Sequence, residues 1–143
     1  MKKPFLIIFA LIGTLTFGQN LKCKDFKNGI FTIEVSIPFK VKGKITRNGN
    51  EQSELFSDLP IELKGSGLEG KTIYGRINWI DDCSYRLIYD ESKYELSELE
   101  KLVNSLGGIL TELIKIEGNC FYYKSSFIYN DNEQVINGII CKD

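Results

Sequence analysis

Polar and apolar residues alternate most regularly from Phe31 to Ile37, where Phe31, Ile33, Val35 and Ile37 share one side and Thr32, Glu34 and Ser36 the other. A period of two marks a half-buried β-strand. Two later segments repeat it, with Ile73, Gly75, Ile77 and Trp79 on one row and Tyr85, Leu87 and Tyr89 on another. For these rows to share a face, Trp79 must oppose Tyr85, which leaves Asp81-Asp82-Cys83 as a three-residue loop. Asn48-Gly49 marks a tight turn between "GKITR" and "EQSELF", because both residues tolerate positive φ.

One segment changes period. Ser97 and Glu100 form a capping box, Leu99, Leu102, Val103 and Leu106 fall at helical spacing, and Gly107-Gly108 ends the run, so a helix is predicted over about 97–106. Ser92 with Glu95 offers an alternative start one turn earlier.

The last third reads as two hairpins whose registers follow from their turns. A two-residue turn at Gly118-Asn119 pairs Ile116 with Phe121, Ile114 with Tyr123 and Leu110 with Phe127, all apolar. A turn centred on Asn130-Asp131 pairs Phe121 with Ile140, Tyr123 with Gly138 and Ser125 with Ile136. The fold class expected from these elements is mainly β: an antiparallel meander of about eight strands forming a curved sheet or small lipocalin-like barrel, with one helix between strands five and six.

The start of the chain changes the picture from fold to compartment. Met1-Lys2-Lys3, an apolar run from Phe5 to about Leu15, and the small residues Thr16 and Gly18 have the order of a secretory signal peptide. Residues 1–18 are therefore expected to be removed, leaving 19–143 as a single β-rich domain in the periplasm or outside the cell. The apolar run is too short to span a bilayer, which needs roughly 20 residues, so the mature chain is not expected to cross a membrane. Cys23 follows Asn20-Leu21-Lys22 and not the small residues that precede a lipid-modified cysteine.

Charge and residue types then remove functions. With 18 basic and 19 acidic residues the chain has no basic field for nucleic acid. It contains no histidine, which eliminates His-based catalytic triads and His-containing metal sites. "GSGLEGKT" at 65–72 satisfies the phosphate-loop pattern, but Lys71 is followed by the alternating "TIYGRINW" and not by a helix. Without a helix N-terminus no phosphate cradle forms, so neither nucleotide nor cofactor is expected. Asp81-Asp82 reads as a turn and Glu98-Glu100 as a helix start, and no constellation points to an enzyme.

The four cysteines have no metal-ligand spacing and read as disulfides. The final hairpin sets Cys120 opposite Cys141, which leaves Cys23 for Cys83; the alternative joins Cys23 to Cys141 and Cys83 to Cys120. The aromatic residues, including Trp79 and seven tyrosines, serve either a filled core or the walls of a ligand cavity. Trp79 and Tyr85 are candidate wall residues. In the hairpin register Glu112 falls among Leu110, Ile114 and Ile116, opposite Ser125. It is either a solvated rim residue or, with Tyr123 and Ser125, the polar spot of an apolar pocket.

The stretches "CKDFKNGIF", "ITRNGNEQSE" and "INWIDDCSYRL" resemble an uncharacterised family of small exported proteins of Gram-negative bacteria, whose members are sometimes mislabelled DNA topoisomerase IV. That resemblance implies export and brings no catalytic residue. Two functions follow as expectations: an envelope protein binding a small apolar or amphipathic molecule, or an interaction module or inhibitor acting on an envelope protein through an exposed surface, with a filled core.

Overall fold

The computed structural model describes residues 20–36, 40–65 and 68–143. The expected signal peptide at 1–18, Gln19, Ile37 and Ser66-Gly67 of the glycine-rich loop lie outside the described residues. Eight strands run β1 Asn28–Ser36, β2 Lys40–Asn48, β3 Glu51–Asp58, β4 Thr72–Trp79, β5 Ser84–Tyr89, β6 Ile109–Glu117, β7 Cys120–Tyr129 and β8 Asn132–Lys142, with the helix α1 at Glu98–Ser105. Each strand is antiparallel to the next, and β8 returns to β1, closing a barrel.

Alternation becomes inside and outside. On β2, Val41, Gly43, Ile45 and Arg47 are buried while Lys40, Lys42, Lys44, Thr46 and Asn48 are exposed. Phe31 and Ile33 of β1, Ile73 and Ile77 of β4, and Tyr85 and Leu87 of β5 are buried in the same way. Trp79 opposes Tyr85, as the Asp81-Asp82-Cys83 loop requires. β4 begins at Thr72, so a strand and not a helix follows Lys71.

Turn residues set the hairpins. Asn130 and Asp131 both have positive φ (49° and 56°), as a type I′ turn demands. Between β2 and β3 the two loop residues are Gly49 and Asn50, so the turn lies one residue later than Asn48-Gly49 suggests. α1 starts at Ser97, whose hydroxyl accepts from the Glu100 amide while the Glu100 carboxylate accepts from the Ser97 amide at 2.7 Å. Ser92 instead donates to Asp90 in the preceding turn.

Both disulfides form. Cys120 and Cys141 face each other across β7 and β8 with Cα atoms 4.0 Å apart, and Cys23 joins Cys83. These links span 21 and 60 residues. By loop-closure entropy they stabilise the fold by about 3 and about 4 kcal/mol.

One register departs from expectation. β7 and β8 pair as their turn dictates, with Phe121 opposite Ile140 and Ser125 opposite Ile136. β6 and β7 begin as expected, with Ile116 opposite Phe121, but a bulge at Ile114 then shifts every earlier pair by one residue. Leu113, not Ile114, opposes Tyr123; Leu110 opposes Ser126, not Phe127; and Glu112 opposes Lys124. An extra residue in one strand reverses which face follows it. The upstream inner row of β6 is therefore Thr111 and Leu113, while Glu112 and Ile114 are exposed.

Candidate ligand cavity

The two ends of the barrel are built differently. At one end the 3-10 turn Cys23–Phe26, tied to the β4–β5 loop by the Cys23–Cys83 bond, presses Phe26 into the opening. Phe26 is 1 % exposed, with its ring 5.7 Å from Phe31 and 5.2 Å from Phe121. Arg47 completes this floor. Its Nη1 donates to the Phe26 carbonyl (2.9 Å), its Nη2 to the Tyr85 hydroxyl (2.5 Å) and its Nε to Gln52 Oε1 (2.6 Å). A buried guanidinium needs such saturation, because an unpaired charge away from water is costly.

Above this floor the barrel is hollow. A cavity of about 330 Å³ extends toward the end where α1 connects β5 to β6. Its walls are mostly apolar, supplied by Ile33, Val35, Ile45, Phe56, Ile73 and Leu87, while Leu68, Ser97, Leu99 and Glu100 frame the mouth. Leu99 is 63 % exposed, an apolar side chain held at the rim with most of its surface in water. No counterpart of the Phe26 plug, packed against Phe31 and Phe121, fills this end. At Thr111 and Ser125 two inward hydroxyls occupy opposed positions and satisfy each other at 2.7 Å.

One carboxylate enters the hollow. Glu54 opposes Ile45 on β2 and Ile73 on β4, both inward, so its side chain lies in the cavity. Its Oε1 accepts from Gln52 Nε2 at 2.5 Å, so Gln52 bridges Glu54 to the Arg47 floor without the charges touching. Burial pushes the Glu54 carboxyl above its usual range, against the opposing pull of the Gln52 hydrogen bond and the Arg47 charge. Tyr89 and Tyr123 also line the cavity, and burial, reinforced in each by the Glu54 charge, holds both phenols protonated well beyond neutral pH.

At the mouth, Glu100 accepts from the Ser97 amide and from the Tyr94 hydroxyl at 2.9 Å, with the Lys71 ammonium 3.8 Å away. Burial acts to raise its pKa, but these hydrogen bonds and the Lys71 charge bring it below the ordinary value. Lys71, the phosphate-loop lysine of the sequence motif, thus braces the helix cap and lies 4.7 Å from the Tyr94 ring.

The residues singled out from sequence divide cleanly. Tyr85, Tyr123 and Ser125 reach the cavity. Trp79 belongs to the floor: its ring lies 5.0 Å from Tyr85, it donates Nε1–H to the Gly49 carbonyl at 3.2 Å, and the Lys27 ammonium stands 4.7 Å over it. Glu112 is outside, because the Ile114 bulge turns it away, and the polar spot formed with Tyr123 and Ser125 does not exist. The interior acid is Glu54. Its pairing with Ile45 comes from the Gly49-Asn50 turn; a turn at Asn48-Gly49 sets it against Gly43 instead, and both partners lie on the Val41-Gly43-Ile45 inner row, which the sequence reading did not identify.

Among the described residues no group of acidic or cysteine side chains is arranged to hold a metal ion, and no helix is long and apolar enough to cross a membrane. No family model, curated protein or solved structure matches the chain.

Proposed function

We propose that this protein is an exported, non-catalytic barrel that takes a small apolar or amphipathic molecule into its interior. The carrying observation is the cavity of about 330 Å³, apolar in its walls and framed by α1. Ligand pockets start at about 300 Å³, and the volume fits a small ligand at the lower end of that scale. A barrel of eight strands is just wide enough to be filled by its own side chains, so an interior left hollow at one end is a feature of this sequence and not of the strand number. Two disulfides, together with the basic-apolar leader, support an oxidising destination. Rows such as Lys40, Lys42 and Lys44 give the barrel exterior a water-facing character.

The experiment is native mass spectrometry of protein purified from its own envelope, beside a cavity-filled variant, Ile109→Trp. A small molecule bound one to one in the native protein and lost from the variant supports the reading; equal retention by both places the molecule elsewhere. A second reading, an interaction surface, is favoured by the outer-face groove of Ile114, Tyr122 and Ile139, in which Ile114 is 59 % exposed. Its signature is a co-purifying protein that survives Ile109→Trp and is lost on Ile114→Lys.

A further inference from the structure

The electrostatics of the cavity narrow the ligand class, on the premise that the interior is the binding site. Two carboxylates line the cavity, Glu54 in its wall and Glu100 at its mouth, whereas no lysine or arginine does so among the described residues. The nearest interior cation, Arg47, has all three guanidinium nitrogens engaged in the floor and does not line the cavity. Lys71 is turned to Glu100 and the Tyr94 ring.

The groups facing Glu54 can be followed strand by strand. β2 offers Ile45 and, through Gln52, the remote Arg47; β5 offers Tyr85 and Tyr89; β7 offers Tyr123 and Ser125; β6 offers Thr111; α1 offers Glu100. β1, β4 and β8 contribute aliphatic side chains. One lone pair set on Glu54 is met by Gln52, and no other hydrogen bond to its carboxylate is formed among the described residues. Tyr85, Tyr89, Tyr123 and Phe56 add aromatic rings around the same space, which attract a cation through their faces.

We propose that Glu54 is the specificity-determining residue of the cavity and that the ligand is an organic amine: an apolar body carrying one protonated nitrogen, which pairs with the Glu54 carboxylate. A ligand ending in a carboxylate meets the same oxygen as a like charge with no cation to receive it. The raised pKa of Glu54 agrees with this reading, since a buried acid lacking a cationic partner is the group that a bound ammonium relieves. Amine binding should therefore weaken as pH falls through the Glu54 pKa, when the carboxylate is lost while the ammonium stays charged.

The test is calorimetric titration of the disulfide-intact protein with octylamine, octanol and octanoate, which share one apolar body and differ in the head. At about pH 7.5 octylamine is expected to bind at one site at least about tenfold tighter than octanol, the size of one charge-assisted hydrogen bond, with octanoate weakest. Glu54→Gln keeps an oxygen acceptor for Gln52 and should reduce the amine preference to within about threefold, leaving octanol unchanged. Lowering the pH to the ordinary glutamate value of 4.5, below the raised Glu54 pKa, should narrow the preference in the native protein and leave the variant unmoved. Glu112→Gln removes an acid from the outer face and should change nothing; equal loss in that variant would assign the attraction to general surface charge and overturn the proposal. Octanoate or octanol binding as tightly as octylamine, or a preference that survives Glu54→Gln, also overturns it while leaving the hollow-interior reading intact. If none of the three probes enters, that reading itself fails, and this one with it.

Discussion

The floor and the mouth of this barrel are made from the same eight strands, yet one is solid and the other hollow. Phe31 and Val35 stand on the same inner row of β1 four residues apart, the first packed against Phe26 and the second lining the cavity. Tyr85 and Tyr89 on β5 both line the hollow, but only the first is tied to the floor, where its hydroxyl accepts the Arg47 hydrogen bond. Strand alternation therefore decides only that a side chain points inward. Whether the inside is filled depends on side-chain volume summed around each level of the barrel and on what plugs the end. The floor has a disulfide-tethered plug; the mouth has a helix whose Leu99 remains largely in water.

The comparison can be broken most severely at the floor. Phe31→Ala removes a ring with no exposed surface, and should cost about 3–5 kcal/mol in denaturant unfolding. A cost under about 1 kcal/mol would mean that the floor is not packed as described. Replacing Cys120 and Cys141 by serine should lower stability by about 3 kcal/mol, read as a shift of the denaturation midpoint without change of fold by circular dichroism. At the mouth the effects shrink. Ser97→Ala removes the α1 cap and should cost about 1 kcal/mol, with hydrogen exchange rising in α1 and not in the strands.

Glu54 sharpens the contrast through pH. Its folded-state pKa lies above the ordinary glutamate value of 4.5, so the folded protein binds the extra proton between those two values and its stability falls as pH rises through the window. Glu54→Gln, which cannot ionise, should match the native protein below about pH 4.5 and exceed it in melting temperature at about pH 8. A variant less stable than the native protein at the higher pH would show that the charge is compensated in the cavity. The smallest effect belongs to Lys71→Ala, under about 0.5 kcal/mol, because its ion pair is long and its side chain remains partly in water. ATP should bind neither protein, and nucleotide binding lost in the variant would restore the phosphate-loop reading.

How far each feature was legible follows from the range of the signal behind it. The β1, β4 and β5 rows, the Ser97 cap and the Trp79–Tyr85 pairing are encoded by residues within a few positions of one another. The Cys120–Cys141 bond is nearly as local, because a two-residue turn carries its register the length of the hairpin. Glu112 shows where such arithmetic breaks. Pairing Ile114 with Tyr123 and Leu110 with Phe127 looked consistent because all four are apolar, and apolar residues on both faces of β6 conceal a one-residue bulge. Glu54 was missed, because "EQSELF" places charged, polar and apolar residues on both faces, so its alternation names no inner row by itself.

Composition, alternation and turn chemistry were thus enough to establish a β meander with one capped helix, because each rests on backbone preferences and side-chain periods that operate over a few residues. They reached the Cys23–Cys83 pairing only by elimination, and they carried no information on whether the interior is hollow. Those outcomes require closure: β8 must return to β1 before the inner rows face one another, and Cys23 must reach Cys83 across 60 residues before Phe26 can plug the floor. A cavity is a difference between the volume enclosed by all the strands and the volume of the side chains within it. No single segment contains that difference, and so it emerges only when the barrel is assembled.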